Sequence, residues 1–551
     1  MAEKSAKDPP RVTLVAWLTE TLLGLGREFR WAYLPPLMVY LAAGISGLTA
    51  IVGTFFIKEH LGLSAAFLAG LAFWAGIPWT LKMPLGHLVD IIWRWKSLLV
   101  YVGASLIACG IGIMYGLIVH APAMTQIMTA EAWYVLSALL APTGYVVQDV
   151  VADAMTVEAV PLFDGHGDPY PEDRVKLMHT TMQTLGRVAI VTGLIVVAAL
   201  NISMFSGVED MSAAEKTAIY ANIYLFALAI PAISVLGAAL GDVSVRIRAR
   251  RLRAKGVGTA AIETAAGGDP GKTSPNWWIF GGSLAFVAVT LAVGLSAIPL
   301  AQEIVFAGSL GIVLFLMNRL LLELGPAERR ALLGTALIIF VFRATPLPGP
   351  GATWWEIDIL AFDQQFLSIL SLITSGLALA GMILFRLFLA KKSIAHIVLL
   401  LTIAAGILSL PNIGLFYGVH EWTARWTNGV VDARFIALLD TALESPLAQI
   451  SMIPMLAWIA KNAPAHLKAT FFAVMASFTN LALSASSLAT KYLNQIFVVT
   501  RQVLDPATGT PDVPADYSQL GGLLIVVALI TFALPLITIL AVQRSPLRTD
   551  E

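Results

Sequence analysis

The chain has 551 residues, 58% of them hydrophobic and 13% charged, with a mean hydropathy of +0.79. Soluble globular proteins carry about a quarter charged residues, so this composition excludes an ordinary soluble fold and points to a polytopic membrane protein. The 35 basic and 35 acidic residues cancel, which leaves net charge silent about partners.

In chain order, the opening MAEKSAKDPPRVT lacks the apolar core and small-residue cleavage site of a secretory signal. Residues 1–32 are therefore expected to form a cytoplasmic tail. A bilayer core about 30 Å thick needs roughly 20 apolar residues per helix. That window gives spans at 33–57, 64–92, 97–119, 131–160, 175–200 and 217–241, a first six-helix bundle over 33–241. The run RIRARRLRAK follows, with Arg246, Arg248, Arg250, Arg251, Arg253 and Lys255. It opens a Gly- and Ala-rich stretch, so 242–276 is expected as a basic cytoplasmic linker whose charges set topology and touch anionic headgroups. Nucleic-acid binding is not expected. Spans at 277–299 and 302–322 form an inserted pair over 277–322, expected to be peripheral to transport. Further spans at 330–346, 362–389, 393–413, 432–460, 468–497 and 519–543 build a second bundle over 323–543, ahead of a cytoplasmic tail at 544–551. The fold class is thus all-α, with two six-helix bundles, an inserted pair and about fourteen transmembrane helices.

Orientation follows from basic residues. With both termini cytoplasmic, about 25 Lys and Arg fall on the inside and about five outside. One span more or fewer would destroy that asymmetry. Trp354, Trp355, Trp422 and Trp426 then lie in external loops, where interfacial tryptophans are expected.

The two bundles echo each other. Asp149 and Asp153 are four apart in the fourth span, as are Asp440 and Glu444 in the twelfth. Each pair precedes a lysine that opens the next helix, Lys176 after 27 positions from Asp149 and Lys468 after 28 from Asp440. Parallel six-helix repeats characterise a large class of secondary transporters, with the substrate site between the halves. An ionised side chain at mid-bilayer costs at least about 2.5–3.5 kcal/mol, so such residues face water or a partner. At 100° per residue, Asp149, Asp153 and Thr156 share one helix face, as do Asp440 and Glu444. Glu158 lies on the opposite side near the cytoplasmic rim. The bland reading is that these acids lock helices together by pairing with Arg187 and Arg343. The functional reading makes Asp149, Asp153, Asp440 and Glu444 the proton-coupling set, because breaking and remaking an ion pair moves a carboxylate's proton affinity. Arg187 and Arg343 are the expected anchors for an anionic substrate, since a guanidinium binds a carboxylate bidentately. Lys82 adds a point charge. Arg319 and Lys491 are expected to snorkel, and Tyr33 and Tyr40 to pack in the core.

Enzymatic chemistry is not expected. The eight histidines are scattered, the single Cys109 excludes a multi-cysteine metal site, and GDPGK at 268–272 lacks phosphate-loop spacing. No cofactor or metal is expected.

Three stretches carry a family resemblance. GIPWTLKMPLGHLVD (76–90), running into WRWKSLLVYVGAS, resembles the loop between the second and third helices of the major facilitator superfamily. Gly86 and Asp90 fall on that loop's close-packing glycine and hinge aspartate, as a gating loop; Trp93, Arg94, Trp95 and Lys96 replace its usual basic run. QDVVADAMTVE (148–158) is similar to the aspartate-rich fourth helix, and FVFRATPLPGPGA (340–352) to the helix opening the second half, of the folate-biopterin transporter family within that superfamily. APAHLKATFFAVMASFTNLA adds a weaker match. The resemblance implies proton-coupled uptake of folates or pterins by alternating access. It points by position to Lys82, Asp90, Asp149, Asp153 and Arg343. A small anionic or pterin-like solute, protons and membrane lipids are the expected partners, and a monomer in a bacterial inner membrane the expected setting. The alternatives are a muropeptide or other anionic-solute permease of the same superfamily, and a non-transporting membrane assembly factor on the same fold.

Overall fold

The computed structural model describes residues 29–80, 82–164, 168–259, 262, 277–294, 298–322, 324–384, 393–448, 468–504 and 511–548. Most of the expected N-terminal tail, the linker at 260–261 and 263–276, and the ends of the tenth and twelfth spans (385–389 and 449–460) lie outside the described residues.

Helices account for the spans. In the first half, α1 (Leu34–Ile45) runs through one 3-10 turn into α2 (Ala50–His60). Pro35 and Pro36 sit in the first turn of α1, where no intrahelical N–H bond is lost. Next come α3 (Ala65–Thr80), α4 (Lys82–Ile91), α5 (Ser97–Val119), α6 (Ala130–Ala159) and α7 (Glu172–Met204). Thr129 caps α6 by accepting from the N–H of Ala132. Ser212 and Glu215 form a capping box on α8 (Ala213–Ala227), which meets α9 (Ala229–Ala254) at a single turn.

The inserted pair is α10 (Trp277–Gly294) and α11 (Ala301–Leu321). The second half holds α12 (Pro326–Arg343), α13 (Pro350–Asp358), α14 (Gln364–Leu384), α15 (Ile394–Phe416), α16 (Val419–Trp426), α17 (Ala433–Ala448), α18 (Lys468–Ile496) and α19 (Leu520–Gln543). A small antiparallel hairpin, β1 (Val503–Leu504) and β2 (Pro511–Val513), bridges the last two helices. One end of the bundle, here the hairpin face, carries it; the end from which α9 projects is the linker face.

Among the described residues, nine segments are long and apolar enough to cross a membrane unaided. The other expected spans are also helical where described, but interrupted (α12 before α13) or only partly described. Three boundaries differ from the sequence reading. The helix of the sixth span does not stop at 241. The 42 residues of Ala213–Ala254 continue through the basic block, and at 1.5 Å per residue they are about 63 Å long, twice the hydrocarbon thickness. Arginine is a good helix former, so the block extends the helix beyond the bilayer instead of opening a linker. Gly86 and Asp90 sit on α4, so the connecting loop is confined to 92–96. No described atom lies within 4 Å of a Cβ built at Gly86, so the expected close packing at that glycine is not seen; the side chain of Asp90 lies outside the described residues. Trp354 and Trp355, expected in an external loop, are buried on α13.

Glycines decide how near the helices approach. A Cβ on Gly103 of α5 would meet the Gly144 carbonyl oxygen of α6 at 2.6 Å, and one on Gly144 would meet Ile107 Cγ1 at 2.8 Å. With no hydrophobic drive between helices in lipid, such backbone contact supplies the packing energy. Gly112, on the same helix α5, has nothing within 4 Å of its Cβ position. Gly144→Val is therefore expected to cost about 2 kcal/mol by overpacking, read as a lower thermal midpoint in detergent, while Gly112→Val leaves the midpoint unchanged.

Candidate functional site

The acidic stretch of the fourth span lies on α6, and its carboxylates converge on Lys82, the first residue of α4. Lys82 Nζ is 2.6 Å from Asp149 Oδ2 and 2.7 Å from Asp153 Oδ2. Asp153 Oδ1 accepts a 2.6 Å hydrogen bond from the hydroxyl of Tyr40 on α1. Three helices thus contribute one ammonium, two carboxylates and a phenol. The four-residue spacing of Asp149 and Asp153 stacks both acids on one helix face, so a single cation bridges them.

The cluster is buried unevenly. The side chains of Lys82 and Asp149 are 23% and 18% exposed, and that of Asp153 is 45% exposed. It is therefore open on the Asp153 side. Tyr40 packs against α7 at Gly186, where a Cβ would meet its ring at 2.9 Å. The next residue, Arg187, is exposed, interacts through space with Asp149 and Tyr40, and makes no hydrogen bond to a described residue. Two carboxylates facing one lysine leave a negative charge that Arg187 balances at longer range.

This differs from the pairing considered for the sequence, in which the acids engage Arg187 and Arg343. A compact ammonium fits between two carboxylates one helical turn apart, and Lys82 lies directly across from them. Tyr40, expected as core, is buried but also bonds Asp153. Glu158 lies at the linker face as anticipated, ion-paired to Lys96 at 3.0 Å. Arg248 donates at 2.8 Å to the carbonyl of Glu158, and Ser97 donates at 2.6 Å to Asp242. These contacts tie α5, α6 and α9 together at that rim.

In the second half, Asp440 and Glu444 share a face of α17. Asp440 Oδ2 accepts from Asn412 on α15 at 3.1 Å, while Oδ1 is buried without a hydrogen bond. Glu444 is exposed, and no described ion pair involves either acid. Arg343 closes α12 with its Nε buried and unbonded. The chain then unwinds through TPLPG (345–349) before resuming as α13. One face of α18 holds this break: Ser486 donates to the Thr345 carbonyl at 2.6 Å, the Leu347 N–H donates to Thr490 Oγ1 at 2.9 Å, and Asn494 donates to the Pro348 carbonyl at 3.1 Å. Gly349, at φ +83°, is the turn residue, and a Cβ there would strike Asn494 at 2.8 Å. Non-helical backbone at membrane depth is tolerated only when protein groups satisfy it in this way, and discontinuous helices mark transporter binding sites.

At the hairpin face the two halves are closed on each other. Lys58 at the end of α2 pairs with Asp358 at the end of α13 at 2.5 Å, and Tyr517 also donates to Asp358. Arg501 donates to the Lys58 carbonyl at 2.7 Å and to the Leu63 carbonyl at 3.0 Å, and its guanidinium lies over the Trp354 ring. Trp354 itself packs in one cluster with Phe55, Phe56 and Ile223 of the first half. Near mid-chain of the seam, Asn480 on α18 donates to the Trp79 carbonyl on α3 at 3.2 Å. Of these cross-half partners only Trp354 was singled out in the sequence, and then as an interfacial loop residue; polar residues beside span ends look alike until the halves are assembled.

The arrangement of charges suits stability as well as function. Lys82→Met would leave two carboxylates facing each other with no cation. The expected cost is on the order of 2 kcal/mol, less than for a fully buried pair because the cluster is open on one side. Combining it with Asp149→Asn and Asp153→Asn should restore most of the thermal midpoint.

Comparison with known proteins bears on what this architecture does. The BT1 family model matches residues 43–550. A folate-biopterin transporter from Synechocystis sp. is 23% identical over 474 residues, covering 85% of this chain and 76% of that protein. Among solved structures, a POT family transporter in complex with a thioalcohol-conjugated peptide aligns with TM-score 0.58 at 13% identity, covering 95% of this chain and 96% of that one. The nucleoside transporter NupG aligns with TM-score 0.53 at 12% identity, covering 92% of this chain and 99% of that one. These likenesses establish the major facilitator fold. With a family model spanning nearly all of its length and a transporter's fold beneath it, the chain belongs to the BT1 family and is an integral membrane transporter, not an enzyme.

Proposed function

We propose that the protein is a proton-coupled importer of folates or pterins, working by alternating access. The observation that carries this reading is the Lys82–Asp149–Asp153–Tyr40 cluster, set inside the membrane beside Arg187, which hydrogen-bonds no described residue. Its cost in lipid is justified only if the charges are used. The transporter from Synechocystis supports the substrate class.

In this mechanism Arg187 and Arg343 bind the anionic part of the substrate, and Lys82 is held in reserve by its two carboxylates. A proton arriving on Asp149 or Asp153 weakens that hold and frees Lys82 toward the substrate. Loss of the proton on the other side restores the cluster and expels the anion. Asp440 and Glu444 form the matching carboxylate pair of the second half. The 277–322 pair is an insertion between two six-helix bundles, and Gly86 and Asp90 belong to the linker-face gate. The termini are cytoplasmic, the setting is the bacterial inner membrane, and the working unit is a monomer.

Uptake of labelled folate and biopterin into proteoliposomes with an imposed pH gradient tests the proposal. Accumulation should follow the inward proton gradient and collapse with a protonophore. Flux that ignores the gradient would reject the coupling, and transport of muropeptides with no folate or biopterin flux would reject the substrate class. Asp149→Asn and Asp153→Asn should each abolish gradient-driven accumulation while retaining some exchange. Arg343→Gln should weaken folate binding about tenfold or more, as expected for a lost charge-assisted hydrogen bond, and a neutral pterin much less. Equal losses for both ligands would remove Arg343 as a carboxylate anchor.

A further inference from the structure

The inserted helix α11 begins with Gln302 and Glu303, and both side chains turn into the seam between α3 of the first half and α18 of the second. Gln302 Nε2 donates to the Gly70 carbonyl on α3 at 3.0 Å. On the other side, Lys491 Nζ of α18 donates to Gln302 Oε1 at 2.8 Å and pairs with Glu303 Oε1 at 3.1 Å. The hydroxyl of Tyr492 donates to the same Glu303 oxygen. A single amide therefore bonds both halves at once, with its N–H₂ on one and its oxygen on the other.

The apolar surroundings follow the same plan. Phe73 and Ile77 of α3, Val305 of α11 and Leu488 of α18 form one buried cluster, with Trp74 and Val293 packed against it. Gly294, at the end of α10, sits where a Cβ would meet the Trp74 ring at 3.2 Å. Gly70 is equally constrained, since a Cβ there would lie 2.9 Å from the Gln302 amide nitrogen. Lys491, expected to snorkel, instead reaches sideways into this contact.

Level decides the consequence. Gly70 is in the second turn of α3 from the hairpin face, and Lys491 is in the second-last turn of α18 at the same face. That is the level at which Lys58 and Asp358 close the halves. Alternating access requires the halves to separate there, and separation cannot keep Gln302 bonded to both Gly70 and Lys491.

We infer that the inserted helix pair is a clasp on the hairpin-face gate: Gln302 and Glu303 bridge α3 to α18 while that face is closed, and release one half when it opens. The pair thus sets how much of the time the transporter spends closed on this side. This rests on the transporter fold alone and holds whatever the solute is.

The test reads the gate without a substrate. Spin labels are placed at Ile127 and Arg425, exposed hairpin-face positions of the two halves, through Ile127→Cys and Arg425→Cys in a Cys109→Ser background. Distances are measured by pulsed electron resonance on the full chain in lipid nanodiscs. Gln302→Met with Glu303→Met keeps the side chains' length while removing the bridging groups, and should raise the ratio of long-distance to short-distance populations about threefold, the scale of one partly exposed ion pair. Lys491→Met should do the same from the other side. Lys58→Ala, which breaks the gate pair directly, provides the reference response. A response to Lys58→Ala with unchanged distributions in both clasp variants would overturn the inference. So would an effect of Lys491→Met that persists undiminished when Gln302 and Glu303 are already replaced, because partners in one clasp are not additive.

Discussion

Charge inside a bilayer has to be answered by other charge or by water, and the Lys82 cluster is where this chain meets that demand. One ammonium held at 2.6 and 2.7 Å by two carboxylates fixes how α4 lies against α6, and the Tyr40 hydroxyl brings α1 into the same arrangement. From that point much of the first half follows. The Tyr40 ring packs against Gly186, and the next residue, Arg187, acts on the cluster through space and hydrogen-bonds no described residue. Three helices thus hold the cluster.

The second half solves a different problem. Its break at TPLPG exposes backbone groups that lipid will not satisfy, and α18 supplies Ser486, Thr490 and Asn494 along one face to satisfy them. The same helix presents Asn480 to α3 and Lys491 to the inserted α11. One helix therefore supports the break beside Arg343, lines the seam between the halves and holds the clasp. The break beside Arg343 and the contacts at the hairpin face therefore share one helix, α18.

Much of this was legible from the amino acids. Runs of about 20 apolar residues locate helices because lipid offers no hydrogen bonds to a backbone, and the fourteen expected spans fall on helical segments wherever they are described. The repeated spacing of Asp149 with Asp153 and Asp440 with Glu444 picked out both acidic helix faces. Less legible were boundaries set by competing preferences: the basic block reads as a linker by charge, yet arginines favour helix and carry α9 to Ala254. The partners were not legible at all. Lys82 and Asp149 are 67 residues apart, and Gln302 and Gly70 are 232 apart, and nothing local distinguishes a lysine that bridges two acids from one that snorkels.

By itself, then, the sequence determined that the chain crosses a membrane many times, that its halves carry matched acidic helices, and that a few charged residues lie within the spans. Those are properties of hydropathy and helical period, which act over a few turns. Tertiary structure alone decided which cation answers which acid, that Tyr40 is a hydrogen-bond donor rather than filler, and that the inserted helices sit across the seam instead of outside it. Each of those depends on which helix faces which. In lipid that choice is made by glycine contacts and polar bridges between residues far apart in the chain, not by how apolar any one helix is.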